Sequence, residues 1–130
     1  MELKNKALFK ESCFVGGKWI DSDSGEKIKV DNPANNEIIG EVPKCSTSET
    51  TKAIKEAQDA FPNWRDKTAK ERSIILQKWA RLIEQNVDDL ARIMTLEQGK
   101  PLAEAKGEIL MGVTYIDFYA EEGKRVYGDI

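Results

Sequence analysis

Histidine is absent from all 130 residues of this chain. That excludes Ser-His-Asp and Cys-His nucleophilic catalysis within these residues and removes the ligand on which most zinc sites depend. Only two cysteines occur, Cys13 and Cys45. They are too few for a disulfide framework, so a reducing cytoplasm is the expected setting. No apolar run approaches the ~20 residues of a membrane span, and the N-terminus lacks the apolar core of a secretory signal. Positive charge is not in excess either. With 20 Lys and Arg against 23 Asp and Glu, the net charge is −3, which argues against a nucleic-acid partner. No internal repeat, low-complexity tract or flexible linker is evident.

What is present fits a soluble globular chain of one-domain size, 40% hydrophobic and 33% charged. Residues 1–12 are polar and weakly patterned, a short helix or a loose leader. Phe14 to Ile20 reads as two short strands about the Gly16-Gly17 turn, because glycine tolerates the positive φ of a tight hairpin. Lys27 to Val30 alternates as a strand, and Glu37 to Pro43 forms another. Residues 14–43 are therefore expected to form a small antiparallel meander, which needs something to pack against.

Residues 46–126 read as helices. Ser46 with Glu49, and Thr68 with Glu71, are capping-box pairs that mark two starts. Ala53, Ile54, Ala57 and Phe61 line one face of the first, which Pro62 is expected to end. Ile75, Trp79, Leu82 and Ile83 give the second its apolar stripe, and Asn86 interrupts before Val87, Leu90, Ile93 and Met94. Gly99 then caps a helix and Pro101 opens the last one at its first position. Leu102, Ala105, Ile109, Gly112, Val113, Ile116 and Ala120 form that helix's main stripe, but Met111, Tyr115, Phe118 and Tyr119 lie outside it. A helix apolar over so wide an arc should be buried on several sides.

Chemistry is harder to find. Cys13 lies beside Phe14 at a strand start and Cys45 precedes a helix cap, which slightly favours Cys45 as a thiolate, but a structural or incidental role is the expectation for both. Gly16-Gly17 lacks the third glycine of a dinucleotide loop, and Gly99-Lys100 lacks the upstream glycine of a nucleotide-binding one. Asp88-Asp89 and Glu121-Glu122 point apart on a helix and read as solvated faces, while Glu104 and Glu108 have Lys100 and Lys106 close by for surface pairs. No catalytic, cofactor-binding or metal-ligating residue emerges from these patterns.

A longer likeness does emerge. The run Leu96-Glu97-Gln98-Gly99-Lys100-Pro101-Leu102-Ala103-Glu104-Ala105-Lys106-Gly107-Glu108, followed by Tyr119 to Asp129, resembles the N-terminal part of aldehyde dehydrogenases, most of all the succinate-semialdehyde dehydrogenases. Val15 to Trp19, Asn32-Pro33-Ala34 and Ala60 to Trp64 agree with it. The resemblance implies an α/β fold of which this piece is mainly helical, contributing to the cofactor-binding domain with the catalytic domain absent. It implies NADP or NAD as cofactor, an aldehyde substrate and a homo-oligomer. It also implies oxidation through a cysteine thiohemiacetal, an oxyanion hole and a water-activating glutamate, all beyond the matched region. Neither Cys13 nor Cys45 lies in the catalytic-cysteine motif. Met111 resembles a position lining the aldehyde tunnel in some relatives, with Tyr115 one turn on, although Gly112-Val113-Thr114 departs from close relatives. The expected function is a succinate-semialdehyde dehydrogenase piece inactive by itself. The alternatives are a dehydrogenase for glutarate semialdehyde and a noncatalytic helical interaction module.

Overall fold

The computed structural model describes residues 2–127. Gly128 and Asp129, the end of the family-like run, lie outside them. Two hairpins precede four helices. β1 (Cys13–Val15) pairs antiparallel with β2 (Lys18–Ile20), with Phe14 opposite Trp19. Gly16 and Gly17 take φ of 58° and 78°, the left-handed pair that a two-residue turn matching strand twist requires. β3 (Lys27–Asp31) pairs antiparallel with β4 (Ile38–Pro43), with a bulge between Val30 and Asp31.

The expected meander is thus two separate two-stranded sheets. The reason lies between Ile20 and Lys27. The Gly25 amide donates to the Ser22 carbonyl at 3.0 Å and the Ser22 hydroxyl donates to the Glu26 carbonyl at 2.8 Å, so the segment closes on itself. The Asp23 amide is meanwhile drawn to Glu49 of the first helix, which leaves β2 and β3 unpaired with each other.

The leader is tied down. A one-turn 3₁₀ segment (Lys6–Leu8) is capped by Asn5, and the Asp89 carboxylate accepts the Lys4 and Asn5 amides at 3.0 and 2.7 Å. Phe9 lies over Gly40, where a Cβ would stand 2.7 Å from its ring.

α1 (Thr47–Arg65) and α2 (Ala69–Gln85) begin at the two capping boxes, both complete. Pro62 does not end α1. Its missing donor falls in the last turn, its carbonyl still accepts the Asp66 amide at 2.9 Å, and the helix continues to Arg65. α3 (Val87–Gln98) ends at Gly99, left-handed at φ 75°. α4 (Leu102–Glu122) starts one residue later than expected. Pro101 has the right φ, −56°, but an extended ψ of 138°, which places it at the cap and not in the first turn.

α4 packs across α2 and α3, and small residues let the helices approach closely. Ala80, Ala91, Ala105, Val113 and Ala120 are buried, together with Ser73. The α4 stripe read from sequence is the inward one, apart from exposed Leu102. In α2 the stripe is shifted: Ile75, Trp79 and Leu82 are exposed, and the face turned inward carries Ser73, Leu76, Ala80 and Ile83. Amphipathic spacing alone favours the bulkier stripe, but the crossing with α4 is made through the smaller one. Of the α1 stripe only Ala53 is partly covered, because that helix meets little beyond β1. None of the described helices is long and apolar enough to cross a membrane.

Candidate functional site

The side of α4 away from its buried stripe forms an open trough lined by Gly107, Leu110, Met111, Thr114, Tyr115, Phe118 and Tyr119. Met111 and Tyr115, four residues apart, stand on the same face, 58% and 57% exposed. Phe118 and Tyr119 meet edge to face at 5.2 Å. Gly107 meets nothing within 4 Å of where its Cβ would be, which keeps one end of the trough open. The Thr114 hydroxyl donates to the Leu110 carbonyl at 3.1 Å and so spends its donor within the helix. Among the described residues no thiol, carboxylate or ammonium lines the trough. Its chemistry is that of an exposed apolar wall carrying two phenol groups.

The other candidates resolve into structural roles. Asp88 pairs with Lys106 at 2.7 Å and with Lys4 at 3.6 Å, and the Lys106 ammonium foremost holds its carboxyl below the ordinary range. Lys100 pairs with Glu108, whereas Lys106 turns to α3 and not to a carboxylate of α4. Lys124 pairs with Glu121 at 2.8 Å and Arg125 with Glu122 at 3.0 Å. Among the described residues no three His, Cys, Asp or Glu side chains gather as a metal site would require.

Nor do the glycine turns fit a dinucleotide. A Cβ on Gly16 would stand 2.9 Å from a Glu56 carboxylate oxygen, so a pyrophosphate there would face negative charge at close range. Gly99 packs on Pro33, and the Lys100 ammonium is engaged by Glu108. Pro101 supplies no amide at the start of α4.

One relationship has no signature in the sequence. Cys13 and Cys45 are 32 residues apart, yet their sulfurs lie 3.7 Å from each other and both residues are half-buried. The Cys45 thiol pKa is raised, first because the thiol donates a hydrogen bond to the Cys13 sulfur, then by burial and by the charges of Cys13, Glu49 and Asp23 nearby. Such a thiol holds less thiolate at neutral pH than an ordinary cysteine, which slows exchange at it without preventing it. Spacing could not show the pair, because two hairpins intervene.

The described geometry is that of a known enzyme family. Residues 19–130 match the aldehyde dehydrogenase family. The chain is 55% identical over 129 residues to a glutarate-semialdehyde dehydrogenase of Pseudomonas putida, and 53% identical over 129 residues to the NADP-dependent succinate-semialdehyde dehydrogenase of Escherichia coli. Each match takes in 99% of this chain and 27% of the relative. The crystal structure of succinate-semialdehyde dehydrogenase from Burkholderia pseudomallei superposes with a TM-score of 0.96 at 50% identity, over 99% of this chain and 27% of that one. The chain therefore spans about a quarter of the length of the relatives it matches, and it belongs to the aldehyde dehydrogenase family.

Proposed function

We propose that this chain is the N-terminal portion of an NAD(P)-dependent dehydrogenase that oxidises succinate semialdehyde to succinate. The observation carrying this reading is the 53% identity, over 99% of the chain, to the Escherichia coli enzyme of that activity. Such a match favours a piece of an enzyme over a free-standing interaction module. Glutarate semialdehyde is the second reading, favoured by relatives at 55% and 54% identity. The two substrates share an aldehyde at one end and a carboxylate at the other, and differ by one methylene. A methylene in an apolar pocket is worth only about 1–3 kcal/mol of discrimination, so one enzyme can accept both.

The nicotinamide cofactor accepts the hydride in this reaction. Among the described residues neither glycine turn suits a pyrophosphate, and no thiol or carboxylate lines the trough to attack an aldehyde or activate water. By themselves they are inactive. Their part in the reaction is to provide a wall: Met111 and Tyr115 line the path by which the aldehyde reaches groups supplied by the rest of the protein, and they keep bulk water from it. The whole enzyme works in the cytoplasm as a homo-oligomer, and its partner is its small-molecule substrate.

The test is an assay of the purified 130 residues and of the full protein with both semialdehydes and with NADP and NAD, following the reduced nicotinamide. Turnover by the full protein and none by the 130 residues is the expected result. Turnover by the 130 residues alone, free of host enzyme, would overturn the reading.

A further inference from the structure

We propose that Cys13 and Cys45 are a reversible redox pair that closes into an intrachain disulfide when a low-molecular-weight disulfide, such as oxidised glutathione, reaches them. The two sulfurs are in van der Waals contact at 3.7 Å. Bond formation needs them at about 2.05 Å, a small approach on side chains carrying one rotatable bond each. Neither is locked away, since both residues are half-buried. Neither thiol is engaged elsewhere, because no metal-binding group forms among the described residues and the trough on α4 does not include them.

Their position gives the bond a consequence. Cys13 is the first residue of β1, and Cys45 lies in the link between Pro43, which ends β4, and Ser46, which caps α1. A bridge here closes a ring containing all four strands and fastens both hairpins to the N-terminus of α1. That seam is otherwise thin. The Asp23–Glu49 hydrogen bond and the packing of β1 on α1 are its principal contacts.

The exchange runs in two steps. One cysteine thiolate attacks a sulfur of the small disulfide, the S–S bond breaks, and one small thiolate leaves a mixed disulfide behind. The second cysteine thiolate then attacks the protein sulfur of that mixed disulfide, forming the Sγ–Sγ bond and expelling the second small thiolate. The two small thiolates take up the two protons given by the cysteines. Two electrons pass from the cysteine pair to the small disulfide, which ends as two thiols. Dithiothreitol reverses the reaction by the same route.

The experiment treats the full protein carrying this sequence with oxidised glutathione under native conditions, alkylates the remaining thiols and digests with trypsin. Cleavage after Lys10, Lys18, Lys44 and Lys52 places the cysteines in peptides 11–18 and 45–52. The expected product is these two peptides joined by a disulfide, at several-fold lower yield in denaturing urea. The oxidised protein should melt at a higher temperature than the reduced one, and dithiothreitol should abolish both effects. Cys13→Ser should leave Cys45 free or glutathionylated, with no rise in melting temperature. Recovery of the two peptides only as separate alkylated or glutathionylated species would overturn the proposal, as would equal linkage in urea.

Discussion

Glu49 grips two points of the chain at once: one carboxylate oxygen accepts the Asp23 amide at 2.8 Å, and the other accepts the Ser46 amide at 2.8 Å. The residue is only 5% exposed. Hydrogen bonding by Ser46 foremost, and by the Asp23 and Ser46 amides, lowers its pKa from 4.5 to about 2. A carboxyl whose folded pKa is depressed adds stability that is fully present above its unfolded pKa and is lost as pH falls through the folded one. Urea midpoints should therefore decline between about pH 5 and pH 2. Glu49→Gln should lower the midpoint at pH 7 and flatten that decline. An unchanged acid profile in the variant would mean that other carboxylates dominate.

Ser46→Ala removes the other half of the same capping box. A lost N-cap of this kind costs about 1 kcal/mol. Thr68→Ala at the start of α2 should cost a similar amount, and the two should add because they serve different helices. Chemical denaturation of the two single variants and the double variant checks both statements.

Gly99 gives a sharper contrast. Its φ of 75° costs a residue with a Cβ about 1–2 kcal/mol, and the Cβ would also stand 3.0 Å from the Pro33 Cγ. Gly99→Ala should therefore lower stability by about that amount or more. Gly99→Asn should cost less in backbone strain, because asparagine enters the left-handed region more readily. Equal losses for the two would assign the effect to the Pro33 contact instead.

Asp89→Ala should release the leader before it unfolds the fold. The two amides held by that carboxylate would lose charge-assisted hydrogen bonds, each worth about 1.5–3 kcal/mol. Hydrogen exchange at Lys4 and Asn5 should quicken while that at Ala105 and Val113 stays slow. Equal acceleration everywhere would show that the leader and the helices form one cooperative unit.

The exposed face of α4 predicts behaviour in solution. Met111, Tyr115, Phe118 and Tyr119 together make a patch of the kind that draws a partner or a second copy. The 130 residues alone should self-associate in sedimentation experiments, and Tyr115→Lys with Phe118→Lys should reduce that association. A monomer at high concentration without the substitutions would refute this.

Local signals are legible in the sequence wherever one residue type has one mechanical use. Both capping boxes, the Gly16-Gly17 hairpin and the Gly99 cap stand where their residues place them. Pro101 and Pro62 show the limit. Proline fixes φ and removes a donor, but it does not say on which side of a helix boundary that matters. The α2 stripe differs for another reason: helical periodicity identifies an apolar face, yet Trp79 and its neighbours are exposed and Ala80 is buried. The exposed arc at Met111 and Tyr115 is legible as a surplus of apolar surface, whereas the meeting of Cys13 and Cys45 depends on how two hairpins return the chain to one place.

The most direct measurement is a graft. The corresponding quarter of the Escherichia coli succinate-semialdehyde dehydrogenase is replaced by these 130 residues, and the chimera is assayed with succinate semialdehyde and NADP. The chimera should be soluble with kcat near that of the parent, and Met111→Ala in it should raise KM and leave kcat nearly unchanged. A soluble, folded chimera without turnover would contradict it.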